Sequence, residues 1–169
     1  MYRGAFWLFL VAEAIVFVTV FSTRFLLASG ARSPALDYPL GGALTAAMVA
    51  SVFPVRRAVR AASAGETGAL VRHLVLAFLM GAGVLGGLLY DWSTVPLSPG
   101  SSFGENYFLS TGYHALHLVI GLVALLALGL AGRRGRYGPW NYWAVEAGGL
   151  FWYFVVAMWV GVYLVFYWL

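Results

Sequence analysis

Two histidines in the stretch Ser110–His117, "STGYHALH", are the first residues whose type and spacing could do chemistry. His114 and His117 lie three positions apart at the head of a long apolar run. Residues with this spacing share one side of an α-helix. Imidazoles in such a place can bind haem or a metal, relay protons, or form hydrogen bonds between helices.

Two carboxyl groups, Glu13 and Glu146, also lie inside apolar runs. A charged side chain inside a bilayer costs about 3 kcal/mol even on lenient scales, so it usually faces other helices and finds a partner. Counting the rise per residue places His117 near the midplane, within one or two helical turns of both carboxyls. We therefore hypothesise that Glu13, His114, His117 and Glu146 form a polar cluster that is either structural or proton-related.

A metal or haem site on this chain is the least favoured interpretation. His114 and His117 project from one face of one helix and cannot clamp a haem from both sides, and the third histidine, His73, begins another apolar run. Cysteine is absent, which excludes iron–sulfur clusters and thiolate-bound metals. We expect no metal ligand and no catalytic residue in this chain.

The composition indicates an integral membrane protein. Of the 169 residues, 62% are hydrophobic and 9% are charged, whereas soluble domains average about 25% charged. The net charge of +4 is therefore no sign of nucleic-acid binding. Five apolar runs are long enough to span a bilayer, and they predict an all-α, polytopic bundle in a single transmembrane domain, residues 1–169. The predicted spans are 5–27, 40–59, 70–89, 107–131 and 143–169.

The arginines predict how the bundle is oriented. In a five-helix layout, eight of the ten basic residues fall on one side and two, Arg24 and Arg32, fall on the other. Because cytoplasmic loops carry the excess of basic residues, we expect a cytoplasmic N-terminus and an outer C-terminus. The loop holding Asp91 and Glu105 is then outside as well. The first run is too long for a signal peptide, and Glu13 interrupts it.

Three segments together resemble subunit III of the haem–copper terminal oxidases in its short bacterial form. "WLFLVAEAIVF" (Trp7–Phe17) is similar to the family's W-L-F-x-x-S-E-x-x-F-F, with Glu13 on the intramembrane carboxyl and Ala12 in place of Ser. "SSFGENYFLSTGYHALHLVIG" resembles Y-G-S-x-F-F-x-x-T-G-F-H-x-x-H-x-x-x-G. The family positions matched along the chain are Asp91, Thr111, Gly112, His114, His117, Gly121, Glu146, Trp152 and Trp159.

The resemblance implies a non-redox accessory subunit of a proton-pumping oxidase that reduces O₂ to water. It implies contact with the oxidase's subunits I and II, which hold haem and copper, bound phospholipid on this chain, and residence in a prokaryotic inner membrane. Glu13 falls on a carboxyl that is described in the family as carbodiimide-reactive and proton-related. Tyr153 and Val156 stand where the family commonly has His and Asp, so the resemblance does not extend to a role that needs that pair.

Two other functions stay open at this point. One is the related accessory subunit of a nitric oxide reductase complex. The other is a free-standing proton or solute carrier built on the buried carboxyls. A carrier is expected to show inverted repeats or helices broken near the midplane, and the sequence shows neither.

Overall fold

The computed structural model describes residues 2–27, 33 and 35–169, and this part of the chain contains helices and loops but no strand. Arg32, assigned above to the outer side, lies outside the described residues. The predicted all-α class is confirmed. The helices are α1 (Tyr2–Leu27), α2 (Tyr38–Ala50), α3 (Val52–Ala64), α4 (Thr67–Thr94), α5 (Ser102–Arg133) and α6 (Trp143–Tyr163), which continues as a π-helical segment, Leu164–Trp168.

Five helical units of the described residues are long and apolar enough to cross a membrane, as the sequence predicts. The second unit, Tyr38–Ala64, consists of α2 and α3 joined at Ser51. Pro54 is the third residue of α3 and has no N–H to give to the carbonyl of Ala50, so the helix is interrupted one turn earlier. Gly65, at a φ of +76°, ends α3 in the left-handed conformation that glycine adopts without strain.

The helices extend beyond the apolar runs, and two expectations are corrected. The stretch after residue 59 was expected to be a loop, but it is helical to Ala64, because arginine and alanine are strong helix formers and Ala61 and Ala62 are buried. Asp91 and Glu105 were assigned to the outer loop, but Asp91 lies in α4 and is only 2% exposed, and Glu105 lies in the first turn of α5. The Tyr107 hydroxyl, on α5, donates a 2.5 Å hydrogen bond to Asp91 Oδ2.

The core is centred on the contact between α4 and α5, into which Trp152 of α6 inserts. Trp152 is completely buried there, between two glycines. A Cβ on Gly81 would lie 2.9 Å from Trp152 Cζ2, and a Cβ on Gly121 would lie 3.0 Å from Cε3. Helices α4 and α5 can therefore pack directly against the Trp152 indole only because glycine, which has no side chain, occupies both contact positions.

The N-terminus of α1, the α3–α4 turn and the α5–α6 loop lie at one end of the bundle. Arg3 forms an ion pair with Glu146 at the start of α6, and a Cβ on Gly65 would lie 3.4 Å from Pro139 Cδ. The eight arginines assigned to one side all belong to elements at this end, which we call the arginine end: Arg3, Arg56, Arg57, Arg60, Arg72, Arg133, Arg134 and Arg136. That this end faces the cytoplasm remains a prediction.

Candidate functional site

Glu13 of α1 meets two side chains of α5 inside the bundle. Its Oε2 atom accepts a 2.6 Å hydrogen bond from the Tyr113 hydroxyl and lies 3.2 Å from His117 Nε2. Tyr113 and His117 are four positions apart and therefore lie on the same face of α5. We call these three residues the Glu13 site.

The hydrogen bonds of His117 fix how many protons the Glu13 site holds. Its Nδ1 atom lies 2.8 Å from the backbone carbonyl oxygen of Tyr113, and a carbonyl can only accept, so Nδ1 carries a hydrogen. The contact between Nε2 and Glu13 then needs one more proton, which lies either on the carboxyl or on the imidazole. In both cases the pair has no net charge, which lowers its cost in a medium of low dielectric constant.

Aromatic rings enclose the Glu13 site on the side of the core. The ring of Phe17 lies 4.7 Å from that of Tyr113 and 5.2 Å from that of His117, and Phe154 of α6 lies 6.0 Å from His117. The His117 side chain is 5% exposed, whereas that of Glu13 is 24% exposed. The imidazole is therefore inside, and the carboxyl remains reachable from outside the chain.

A lateral pocket of about 300 Å³ gives that access. Glu13, Tyr113 and His117 contribute its polar surface, and the rest of the lining is apolar: Phe9, Leu116, Ile120 and Phe151. A pocket of this kind can bring an apolar molecule, or a partner's side chain, to a carboxyl that contacts a histidine.

Glu146 does not belong to the Glu13 site, contrary to the hypothesised cluster. Its Oε2 lies 3.2 Å from Arg3 Nη2, and the side chains of Glu146 and Arg3 are 32% and 66% exposed. The Arg3 guanidinium also lies 4.5 Å from the ring centroid of Trp143. Glu146 is in the first turn of α6 at the arginine end, where an exposed arginine reaches it. An exposed pair of this kind contributes about 0–1 kcal/mol to stability.

His114 has a different environment from His117 despite the spacing of three. It is fully buried, and its ring lies 4.9 Å from that of Trp159 in α6. Within the described part of the chain, neither of its ring nitrogens has a hydrogen-bond partner, and neither does the Ser110 hydroxyl one turn earlier. The structure therefore separates His114 from Glu13.

Three of the remaining motif residues, Thr111, Trp152 and Trp159, form hydrogen bonds between helices. The Thr111 hydroxyl accepts a 3.1 Å hydrogen bond from the Trp92 indole, which ties α5 to the last turn of α4. Trp159 donates a 3.0 Å hydrogen bond to Thr45 Oγ1, and Trp152 donates one of 2.8 Å to Ser51 Oγ. A Cβ on Gly112 would meet no atom of this chain within 4 Å, so internal packing gives no reason for glycine there.

Tyr113 is the member of the Glu13 site that the sequence interpretation missed. It stands where the family pattern quoted above has Phe, and only its hydroxyl makes the bond to Glu13. The spacing of four from His117 was the available signal, because it places both side chains over one patch of a helix surface. Among the residues that the structure describes, no three His, Asp or Glu side chains converge as possible metal ligands.

Comparisons with known proteins identify the family to which the chain is similar. Residues 2–169 match the family model for cytochrome c oxidase subunit III. A probable cytochrome c oxidase subunit 3 of Mycobacterium tuberculosis (strain ATCC 25618 / H37Rv) is 28% identical over 128 residues, which cover 73% of this chain and 63% of the relative. Cytochrome c oxidase subunit 3 of Synechocystis sp. is 26% identical over 168 residues, which cover 95% of this chain and 72% of the relative.

The relative from Gadus morhua, cytochrome c oxidase subunit 3, is 29% identical over 126 residues, covering 73% of this chain and 48% of the relative. The chain thus spans less than two thirds of the length of the mycobacterial and fish relatives. The family match nevertheless extends over almost every residue and includes all three members of the Glu13 site. The chain belongs to the cytochrome c oxidase subunit III family.

Proposed function

We propose that this chain is a non-redox accessory subunit of a haem–copper oxidase that reduces O₂ to water and pumps protons. Support comes from the family match over residues 2–169 and from relatives that are named cytochrome c oxidase subunit 3. In this role the chain packs beside the catalytic subunit I, with subunit II in the same complex. Haem and copper are bound by those partners, and the complex resides in a prokaryotic inner membrane.

The Glu13 site is the observation that carries the proton-related part of the proposal. A carboxyl and an imidazole that share one proton, at the edge of a lateral pocket, can relay a proton: when one proton is taken up as the other is released, the pair returns to zero net charge. The Tyr113 hydroxyl holds the carboxyl in place while this happens. We propose that the pair supports proton uptake by the catalytic subunit and prolongs its catalytic lifetime.

Two apolar grooves support the proposal that the chain holds phospholipid. One, of about 410 Å³, lies between α1 and α6 and is lined by residues such as Trp7, Val11 and Tyr153. The other, of about 380 Å³, is bounded by α1, α5 and α6, and includes Phe6, Ile120 and Ala147. Both are lined almost wholly by apolar residues, which suits acyl chains.

The helix α1 is the proposed contact for the catalytic subunit. It lies at the edge of the bundle and exposes a row of large apolar side chains: Leu8, Val11, Ile15, Val18 and Leu26. A helix this open in the isolated chain must be covered by lipid or by another subunit.

A gentle pull-down followed by visible spectroscopy tests the proposal. The chain is purified alone and, separately, captured in mild detergent from membranes of the cell that makes it. The proposal expects a colourless isolated chain and a captured complex with haem bands that consumes O₂. A captured partner that reduces nitric oxide instead would indicate the nitric oxide reductase alternative. The proposal would be contradicted if the chain never captured a haem protein, or if the isolated chain itself showed a Soret band.

A further inference from the structure

A second pocket, distinct from the Glu13 site, lies at the arginine end between α3 and α4. It is a cleft open to solvent with a volume of about 280 Å³, which is room for roughly nine water molecules at about 30 Å³ each. Three alanines form its walls, so the space is left open by small side chains, and four polar residues border it. The lining residues are Arg57, Arg60, Ala61, Ala64, Glu66, Ala69 and His73.

The charge of this pocket is positive and unbalanced. Arg57 and Arg60 supply two positive charges and Glu66 one negative charge, so the lining carries an excess of one even when His73 is neutral. In the part of the chain that the structure describes, neither arginine forms an ion pair with Glu66 or with any other carboxylate. Both guanidinium groups thus have all their hydrogen-bond donors available for a ligand.

The helix geometry brings these groups to one place. Arg57 and Arg60 are three positions apart on α3 and point to the same side. Glu66, Ala69 and His73 follow one another along one side of the first turns of α4. The C-terminus of α3 and the N-terminus of α4 meet at this turn, so their opposite partial charges largely cancel and the arginines set the charge of the pocket.

Phosphate is the anion that such a pocket fits best. Guanidinium groups bind phosphate oxygens in pairs of parallel hydrogen bonds, and a histidine can add a further donor. Basic pockets between transmembrane helices at a membrane surface bind the head groups of anionic lipids. A soluble phosphate compound offers the same chemistry from the aqueous side.

We propose that the pocket formed by Arg57, Arg60 and His73 binds the phosphate group of an anionic phospholipid or of a soluble phosphate compound. The proposed oxidase role requires no anion at this position, and the two apolar grooves described above contain neither arginine. The proposal adds a head-group site to the phospholipid binding proposed above, and it does not depend on the oxidase role.

The test uses the full chain, purified without partners in a mild detergent and stripped of lipid. Short-chain phosphatidylglycerol is titrated, binding is followed by native mass spectrometry, and phosphatidylcholine serves as the zwitterionic control. Inorganic phosphate is titrated in a second arm and followed by ³¹P NMR line broadening. The variants are R57Q/R60Q, E66Q and the matched control R134Q/R136Q, which removes two exposed arginines from the same end but outside the pocket.

The proposal expects R57Q/R60Q to bind phosphatidylglycerol about thirtyfold more weakly, roughly fivefold for each arginine removed. E66Q removes a repulsive charge and is expected to bind about fivefold more tightly. The control is expected to stay within twofold of the unmodified chain. The same pattern with inorganic phosphate, and none with the lipid, would assign the pocket to a soluble phosphate compound.

Two results would overturn the proposal. One is that neither probe responds to R57Q/R60Q in a variant whose circular dichroism shows it to be folded. The other is that R134Q/R136Q weakens binding as much as R57Q/R60Q, because binding would then follow the net charge of this end and not the pocket. Failure of the chain to capture an oxidase would leave both arms unaffected, since each uses the chain alone.

Discussion

The indole N–H of Trp152 donates a 2.8 Å hydrogen bond to the hydroxyl of Ser51, the residue at which α2 gives way to α3. The Ser51 hydroxyl in turn donates a 2.6 Å hydrogen bond to the backbone carbonyl of Met48. About two turns further along α6, Trp159 donates a hydrogen bond to Thr45 on the same span. Two tryptophans of α6 thus form hydrogen bonds to the span that consists of α2 and α3. One of these bonds, from Trp152, is made to Ser51, the residue at which the span is interrupted.

Replacing Ser51 by Ala should destabilise the chain. It leaves the buried Trp152 N–H without an acceptor, which costs about 1–3 kcal/mol. The matched control is Ser63→Ala, because Ser63 bonds a backbone carbonyl in the same way but is exposed on α3. Thermal unfolding in detergent should show a clearly lower midpoint for Ser51→Ala alone, and equal midpoints would contradict the role given to the hydrogen bond.

Replacing Gly81 by Ala should also destabilise the chain, by overpacking. The new Cβ would lie 2.9 Å from Trp152 Cζ2 and 3.0 Å from Leu122 Cδ2, and neither neighbour has free space. Forcing a methyl group into a packed core costs about 1–3 kcal/mol. Gly83→Ala, two residues along the same helix, meets no atom within 4 Å and should raise stability slightly through helix propensity.

The same unfolding measurement decides this prediction. A drop in midpoint for Gly81→Ala together with no drop for Gly83→Ala is expected. If both alanines lower the midpoint equally, contact with Trp152 is not the reason for glycine at position 81.

The two histidines should respond differently to replacement by leucine. His117→Leu leaves Glu13 without its imidazole and should cost roughly 1–2 kcal/mol or more of stability. His114→Leu removes two buried nitrogens that have no partner among the described residues, at similar volume, and should cost less than about 1 kcal/mol. Chemical denaturation in detergent compares them, and a greater loss for His114→Leu would contradict these assignments.

A hydrophobic carbodiimide should label Glu13 and spare Asp91. Both carboxyls lie in spanning helices, but Glu13 borders a lateral pocket, whereas Asp91 is 2% exposed and bonded to Tyr107. Peptide mass spectrometry after labelling in native membranes reads both positions in one experiment. Labelling of Asp91 ahead of Glu13 would show that access does not follow the pocket.

Much of the fold could be predicted from the sequence because hydropathy and length almost determine it. Five apolar runs predicted five spans, and these were confirmed. The ends of the helices were less predictable, since polar residues continue a helix wherever they have partners. Asp91 illustrates this, because only the fold shows that Tyr107, far along the chain, meets it.

The Glu13 site was predictable in part, because the position of a residue along a helix can be counted from the sequence. Depth along a helix follows from counting residues, and it correctly placed Glu13 level with His117. Counting residues does not show which helices are in contact or which way each side chain points, because both depend on how the helices pack. Glu146 was therefore grouped with the site although Arg3 holds it at the surface, and Tyr113 was overlooked although it makes the shortest bond to Glu13.

The most direct test of the account is the rate of proton uptake during O₂ reduction by the complex that contains this chain. Glu13→Ala removes the carboxyl of the Glu13 site, and the matched control Glu146→Ala removes one from the surface pair with Arg3. Haem content checks that each complex has assembled. We predict slower proton uptake and a shorter catalytic lifetime for Glu13→Ala only. Assembly, uptake and lifetime all unchanged in Glu13→Ala would contradict the central claim.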